Sequence, residues 1–210
     1  MARAQRIQLR LRAAKQEMFH VHVMGDAGGS LLDVGGGDGI AGEWAHFYRR
    51  FTSVVTLNLD RGQEASGVIR VVGDGTAMPF RDCSFDFVLC NAVLEHVPYG
   101  RQRALADEIR RVARAGYLVA TPHKWFPIDP HTFLPYYQVL SAPIQERYVR
   151  LARGYLRRFE PLYPLGRRDL VRLFPEAEVR TLKLAALPAQ LVALWRRGGL
   201  LAPTSGGRSA

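Results

Sequence analysis

The stretch SLLDVGGGDGI, from Ser30 to Ile40, decides the fold of this chain. A short apolar run leads into four glycines among five residues, with acids at Asp33 and Asp38. Glycine inside a strand or helix costs about 0.5–1 kcal/mol relative to alanine, so this many together indicate a backbone that bends sharply and approaches a ligand. We expect a buried strand and a tight turn into a helix, which is where an α/β sheet binds ligands.

The segments around this stretch alternate between strand and helix patterns. β-Branched runs that end at glycine or an acid predict strands, and apolar residues three or four apart predict helices. The alternation indicates a parallel sheet with helices on both faces, and the last two strands form an antiparallel pair at its edge. The predicted strands are 30–35, 53–60, 68–74, 85–93, 117–122, 177–185 and 189–197. The predicted helices are 4–23, 40–51, 104–113 (capped by Gly116) and 166–174.

The length and the order of these segments favour one domain. The chain has 210 residues, enough for one sizeable core and hardly enough for two. We expect a single domain over 1–197 that begins with an N-terminal helix, 1–24, and a flexible tail over 198–210. Prolines and aromatic residues crowd 123–165, and a long irregular segment in a compact domain is usually functional.

Cysteine content and hydropathy favour a cytoplasmic protein. The two cysteines, Cys83 and Cys90, lie in apolar stretches and are expected to be buried thiols in a reducing compartment. No apolar run approaches the ~20 residues of a membrane helix. The basic N-terminus is not followed by the apolar segment of a signal peptide.

Basic residues concentrate at the two ends of the chain. The net charge is +10; residues 1–15 carry five basic groups and no acid, and residues 141–210 carry thirteen basic groups against five acids. Such ends suit an anionic partner such as lipid headgroups, nucleic acid or an acidic glycan. The alternative is that arginine simply solubilises the surface.

Three ordered motifs carry a family resemblance. LLDVGGGDG resembles the first motif, D/E-x-G-x-G-x-G, of class I S-adenosylmethionine-dependent methyltransferases. Asp60 closes VVTLNLD where that family has an acid, and VVGDGTAMPFRDCSFDFVLCNAVLEHVP is similar to the family's third and fourth strands. The motifs resemble the family throughout 30–120, whereas over 166–197 only the pattern of helix and strands is similar. TPHKWFPIDPHTFLP resembles a bacterial group of the methyltransferase type 11 kind, although His123 and Lys124 stand where we expect Asn-Arg.

The resemblance implies an enzyme with a Rossmann-like seven-stranded sheet, mostly parallel with a C-terminal antiparallel hairpin, and S-adenosyl-L-methionine as cofactor. Its acids suit the charges of that cofactor, because a carboxylate attracts an ammonium and accepts from ribose hydroxyls. The implied contacts are Asp33 with the ammonium, Gly35, Gly36 and Gly37 with the ribose and methionine part, Asp60 with the ribose, Asp74 and Gly75 with the adenine, and Asn91 with the methionine end.

Histidines supply the candidate catalytic residues. If the acceptor is a hydroxyl, a base helps to remove its proton. Candidates are His96 in LEHV, and His131 with Asp129 in PIDPHT, where the acid would orient the imidazole. His123 is a further histidine of that segment. The spacing of His123, Asp129 and His131 does not support a metal site, so no metal is predicted.

These observations favour methyl transfer to an oxygen of a small-molecule, glycan or lipid-linked acceptor. The basic ends motivate an RNA methyltransferase as the alternative. The fourth strand, however, lacks the D/N-P-P-Y/F motif used to methylate amino groups of bases, and it ends in Cys90-Asn91 without the Pro-Cys pair of carbon-5 methylation. Nucleic acid is thus not the expected partner. A non-catalytic S-adenosylmethionine-binding protein is a third hypothesis, and the basic ends also fit peripheral contact with the anionic inner membrane surface.

Overall fold

Seven strands form one mixed sheet. The computed structural model describes six segments of the chain, which are residues 2–36, 45–60, 67–129, 131–152, 159–184 and 186–201. The strand order is β3-β2-β1-β4-β5-β7-β6. The first five strands are parallel, and β7 runs antiparallel to both β5 and β6. The strands are β1 (Ser30–Val34), β2 (Ser53–Asn58), β3 (Ile69–Val72), β4 (Phe85–Asn91), β5 (Ala113–Pro122), β6 (Glu178–Leu184) and β7 (Leu187–Arg196).

Helices cover both faces of this sheet, as predicted. A π-helical turn, Phe19–Met24, continues the first helix. Three 3₁₀ turns span Leu94–His96, Tyr137–Val139 and Val149–Leu151. The α-helices are α1 (Ala2–Met18), α2 (Ala45–Tyr48), α3 (Tyr99–Val112), α4 (Ala142–Tyr148) and α5 (Arg167–Leu173).

Alternate residues of the central strands enter two different hydrophobic clusters. In β1, Leu31 packs with the π turn and α2, and its neighbour Leu32 packs with α3 and α5. In β4, Phe87 belongs to the same cluster as Leu31, and Val88 belongs to the same cluster as Leu32. Near-continuous apolar strands are typical of a parallel sheet covered on both faces, so the sheet is the middle layer of three.

The helix before β5 ends earlier than predicted, and Gly116 is not its cap. Helix α3 ends at Val112 and β5 follows at once, so the cap prediction was wrong. A Cβ on Gly116 would lie 2.5 Å from Cγ1 of Val23 and 2.8 Å from the carbonyl oxygen of Trp195. The glycine lets the π turn and β7 lie close to β5.

The prediction of two buried thiols was half wrong. Cys90 is fully buried in β4, but Cys83 is exposed. Cys83 has a φ of +52° and lies in the turn before β4, where its N–H donates to the carbonyl of Arg111 at 2.8 Å. A turn position places its side chain outside the core.

The segment 123–165 is less irregular than predicted. It contains α4 and two of the 3₁₀ turns. Pro143 lies in the first turn of α4, where a missing N–H costs nothing, so this proline begins a helix instead of breaking one. The segment has its own small apolar cluster, in which Tyr137 is fully buried against Leu134 and Val149.

Several predictions fall on residues outside the described segments. Of the predicted helix 40–51, the structure describes α2 and the turn after it, and Gly37 lies outside the description. The tail is described as far as Leu201, whose N–H donates to the carbonyl of His22 at 3.0 Å. Among the described residues, no helix combines the length and apolar character that crossing a membrane requires.

Candidate functional site

A cleft lies at the carboxyl ends of the parallel strands, where the sequence places the site. Gly35 lines it from the turn after β1, and Asn58 from the end of β2. Asp74 and Gly75 line it from the segment after β3, and His96 from the 3₁₀ turn after β4. Four loops thus meet at the point where an open α/β sheet binds ligands.

The glycine turn packs tightly against the first two strands. Gly35 adopts a φ of +78°, which glycine tolerates without steric cost. A Cβ on Gly36 would lie 2.8 Å from Oδ2 of Asp33 and 3.0 Å from Cγ2 of Thr56. The glycines therefore place main chain without side chains at the cleft, and a Cβ on Gly36 has no space.

Asp33 is buried beneath this turn. The hydroxyl of Tyr48 donates to its Oδ2. Burial raises the pKa of Asp33 to about 7, although the hydrogen bond from Tyr48 acts in the opposite direction. Tyr48 was not predicted as part of the site; it reaches Asp33 from α2, and no local motif marks it.

Asp74 is a fixed carboxylate on the cleft wall. Its Oδ1 accepts hydrogen bonds from the N–H and the hydroxyl of Thr76, both at 2.8 Å. Its Oδ2 accepts from Nη2 of Arg101 at 2.8 Å. These hydrogen bonds, those from Thr76 first, hold the pKa of Asp74 below its usual value. The carboxylate is charged and oriented, as the predicted role beside adenine requires, but it already has partners.

Asn58, rather than Asp60, stands at the end of β2. The strand ends two residues before the predicted boundary, and Asp60 is exposed outside the cleft lining. The side-chain amide of Asn58 donates to the carbonyl of Gly36 at 3.5 Å, and Oδ1 accepts from the N–H of Leu59 at 2.8 Å. The ribose contact of Asp60 stays a prediction, and Asn58 is an additional candidate that the polar residue in LNLD could have indicated.

Asn91 meets a lysine from the first helix. Nζ of Lys15 donates to Oδ1 of Asn91, and Lys15 is only 5% exposed. Burial lowers the pKa of Lys15 to about 8, while the carboxylate of Glu95 acts to raise it. The sequence indicates that Lys15 faces the core, because it shares a helix face with Leu11 and Met18, but it contains no signal for the contact with Asn91.

The three predicted catalytic residues lie together. Nδ1 of His131 is 3.1 Å from Oδ1 of Asp129, and Nε2 of His131 is 3.3 Å from Nε2 of His96. Asp129 also accepts from the N–H and hydroxyl of Thr132, both at 2.7 Å, which fixes the loop. His123 lies apart: its N–H donates to Ala189 at 3.0 Å beside β7.

Two glutamates that were not predicted complete this cluster. Glu95 is 2% exposed; its Oε2 accepts from the hydroxyl of Thr121 at 2.9 Å, and its Oε1 lies 3.5 Å from Nε2 of His131. Oε1 of Glu160 is 2.9 Å from Nδ1 of His96. LEHV contains the signal for Glu95, but Glu160 arrives from far along the chain, where no motif marks it.

The charges in the cluster depend on one another. Burial alone would lower the pKa of His131, but its bond to Asp129 and the nearby carboxylate of Glu95 outweigh burial and raise that pKa to about 9. Burial alone would raise the pKa of Asp129, but bonds from His131 and Thr132 lower it below the usual value. His131 is therefore an imidazolium between two carboxylates at neutral pH.

The sheet order, the antiparallel last strand and a cleft behind a glycine-rich turn define a class I methyltransferase fold. Residues 32–120 match the family model described as a methyltransferase domain. This match agrees with the resemblance that the sequence motifs carry over 30–120.

Curated relatives agree with this assignment over part of their length. An uncharacterized methyltransferase of Mycobacterium sp. (strain KMS) is 36% identical over 132 residues, covering 59% of this chain and 50% of the relative. The chain spans about half the length of the curated relatives that it matches.

Solved structures agree over nearly the whole fold. An S-adenosylmethionine-dependent methyltransferase from Mesorhizobium loti superposes with a TM-score of 0.60 at 15% identity, covering 88% of this chain and 96% of that one. The geranyl diphosphate C-methyltransferase of Streptomyces coelicolor A3(2), in complex with Mg²⁺, geranyl diphosphate and S-adenosyl-L-homocysteine, gives 0.58 at 16% identity, covering 90% and 80%. These likenesses confirm the predicted fold.

Proposed function

We propose that this protein transfers a methyl group from S-adenosyl-L-methionine to an oxygen of a small-molecule, glycan or lipid-linked acceptor. The observation that carries the proposal is the cluster of His96, His131 and Asp129 beside a cleft lined by a glycine turn. The first feature suits proton removal from a hydroxyl, and the second suits a nucleoside cofactor.

Each part of the cofactor has a suitable partner at the strand ends. Asp33 lies nearest the glycine turn, where the ammonium is expected, and Asn91 with Lys15 offers an amide and a cation for the methionine end. Asp74 and Gly75 line the cleft, and the adenine is expected beside them. The methyl group would then face His96, which lines the same cleft.

The reaction needs alignment and a destination for one proton. The bond between sulfur and the methyl carbon breaks as the bond from the acceptor oxygen to that carbon forms, leaving S-adenosylhomocysteine. The hydroxyl proton passes to the histidine–carboxylate cluster, of which His96 and Glu160 line the cleft. The sulfonium supplies the chemical driving force, so the protein contributes binding, alignment and proton uptake.

The preference for oxygen rests on the cluster and not on the fold. Proteins of this fold differ in the atom they methylate: one neighbour is named as a C-methyltransferase and another as an N1-methyltransferase. A hydroxyl benefits most from a base, because its proton must leave for the oxygen to act as a nucleophile. A base cluster of this kind therefore favours an oxygen acceptor.

A transfer assay tests the proposal. The full chain is incubated with methyl-labelled S-adenosylmethionine and a panel of phenols, glycosides and glycolipids, and methylated products are identified by mass. We expect an O-methylated product, and His96→Gln should lower kcat by about 10²- to 10⁴-fold. His46→Gln, at an exposed histidine on α2, is the matched control.

Other outcomes of the same assay would contradict the proposal. Cofactor binding without transfer to any hydroxylated acceptor would support the non-catalytic hypothesis. Transfer to RNA, together with RNA affinity that falls steeply with salt, would support the RNA methyltransferase hypothesis.

A further inference from the structure

Three potential metal ligands converge at the edge of the cleft. One ring nitrogen each of His96 and His131 and one carboxylate oxygen of Glu95 all lie within 4.8 Å of one another. Nε2 of His131 is 3.3 Å from Nε2 of His96 and 3.5 Å from Oε1 of Glu95. The ligands come from two separate segments, the 3₁₀ turn after β4 and the loop after β5. Two imidazoles and a carboxylate form a ligand set that several catalytic metal sites use.

The outer nitrogens of both imidazoles contact carboxylates. Nδ1 of His96 is 2.9 Å from Glu160, and Nδ1 of His131 is 3.1 Å from Asp129. A carboxylate on one ring nitrogen keeps a proton there and orients the ring, so that the other nitrogen can bind a metal ion in exchange for any proton that it carries, as in most histidine metal sites. Both rings therefore present their Nε2 atoms to the same space.

The burial of Glu95 is a second observation that favours a cation between Glu95, His96 and His131. Its side chain is buried, and its Oε1 forms an ion pair with Nε2 of His131 at 3.5 Å but accepts no hydrogen bond of good geometry from the described residues. A buried carboxylate oxygen without a donor is costly unless a cation or proton lies beside it.

We propose that Glu95, His96 and His131 bind a divalent first-row transition metal ion such as Zn²⁺ or Co²⁺. This departs from the prediction of no metal, because Glu95 was absent from the combination considered in the sequence and His123 lies elsewhere. Three protein ligands leave a tetrahedral ion one open position. His96 lines the cleft, so that position is within reach of it.

The role of the ion rests on the proposed methyl transfer. A hydroxyl bound to such an ion loses its proton more readily, as metal-bound water does. With the ion bound, Nε2 of His96 would be occupied, so the hydroxyl proton leaves to solvent instead of to His96. The oxygen then bonds to the methyl carbon as the bond from that carbon to sulfur breaks. The acceptor class narrows accordingly to phenols or sugars whose hydroxyl can bind a metal ion.

Metal binding can be measured without an acceptor. The full chain is stripped with a chelator and titrated with Co²⁺, whose visible absorption reports coordination, and Zn²⁺ is then added as competitor. We expect one equivalent of Co²⁺ to bind and Zn²⁺ to displace it. His96→Gln and Glu95→Gln should abolish the absorption, and Glu160→Gln should weaken Co²⁺ binding by about 10- to 100-fold. His123→Gln, a histidine outside the cluster, should bind Co²⁺ as the wild type does.

The readouts separate a lost site from a lost fold. His96 is the safer variant because its side chain is 25% exposed, and retained binding of S-adenosylhomocysteine shows that a variant is folded. No Co²⁺ absorption in the wild type, or equal absorption in folded His96→Gln, would overturn the metal site. Co²⁺ bound through these residues without methyl transfer to any hydroxyl would leave the metal site intact and contradict the proposed function.

Discussion

At the scale of single residues, the glycine turn after β1 has no room for a side chain at Gly36. Alanine there would place its Cβ 2.8 Å from the carboxylate of Asp33 and 3.0 Å from Thr56. Overpacking typically costs 1–3 kcal/mol, so we expect Gly36→Ala to lower the free energy of unfolding by about that amount and to weaken cofactor binding. Urea denaturation and calorimetry measure the two effects.

Gly100→Ala is the matched control for this substitution. A Cβ on Gly100 meets nothing within 4 Å, and alanine is favoured over glycine in a helix by about 0.5–1 kcal/mol. We expect stability to be unchanged or slightly raised and cofactor affinity to be unaltered. Equal effects of the two substitutions would contradict the tight packing of the turn.

If Asp33 contacts the cofactor's ammonium as predicted, cofactor affinity should depend on pH. Burial raises its pKa to about 7, so below that value the carboxyl is protonated and no longer attracts an ammonium. We expect the affinity for S-adenosylhomocysteine to fall by up to about tenfold per pH unit below 7, and to level off above it. Calorimetric titrations between about pH 5.5 and pH 8 measure this dependence.

Tyr48→Phe tests the cause of that dependence. The hydroxyl of Tyr48 donates to Asp33 and lowers its pKa, so its removal should move the midpoint to higher pH. An affinity that does not change across the same pH range would show that Asp33 does not meet the cofactor's charge.

Site residues that lie in local motifs could be predicted from the sequence, and those brought together by long-range packing could not. Asp33 and Asp74 lie in motifs within a few residues of glycines, so their local pattern predicts a turn and a ligand. Glu160 reaches His96 from 64 residues away along the chain, and Lys15 reaches Asn91 from 76. Such contacts depend on how segments pack, and no local periodicity encodes them.

At the scale of elements, the π turn after α1 anchors the N-terminal segment in the core. Phe19 is fully buried, and its ring centroid lies 5.7 Å from that of Phe47 and 5.9 Å from that of Phe87. We expect Phe19→Ala to lower the free energy of unfolding by about 3–5 kcal/mol. Leu9→Ala, at a side chain 43% exposed, should change it by less than about 0.5 kcal/mol.

Urea denaturation measures both variants. A small loss in Phe19→Ala would mean that α1 and its π turn do not belong to the folded domain. Because α1 also places Lys15 at Asn91, the same result would remove Lys15 from the candidate site.

Elements with strong local patterns were predictable, and those set by tertiary packing were not. The five parallel strands are continuous apolar runs whose period and bounding turns identify them. Helix α4 was not predicted because its Pro143 resembles a loop signal unless it is known to lie in a first turn. Gly116 was predicted to cap a helix because the sequence does not reveal that Val23 and Trp195 pack closely against it.

At the scale of the whole molecule, the site joins the two halves of the sheet. The cofactor cleft lies on β1, β2 and β3, and the histidine cluster lies on segments after β4 and β5. A ligand held between them should stabilise the folded chain as one unit. At a hundred times its dissociation constant, S-adenosylhomocysteine should add about 2.7 kcal/mol to the free energy of unfolding.

Denaturation in the presence of the ligand measures this gain. A transition that splits into two, with only one part shifted, would contradict a single cooperative domain over 1–197. Seven strands and an antiparallel C-terminal pair could be predicted from the sequence because each segment is locally regular, whereas the strand order was not predicted because it depends on how the segments pack. Contact of the basic ends with anionic lipid stays a prediction, since charge alone does not identify a partner.

The central claim is that the cleft at the carboxyl ends of the parallel strands binds the nucleoside cofactor. Its most direct test is a calorimetric titration of the full chain with S-adenosylhomocysteine, with Asp74→Ala as a paired sample. The account predicts saturable binding of one ligand per chain, much weakened in Asp74→Ala because the cleft wall loses its charged carboxylate. Absence of binding in the folded wild type, or equal binding by the two proteins, would contradict it.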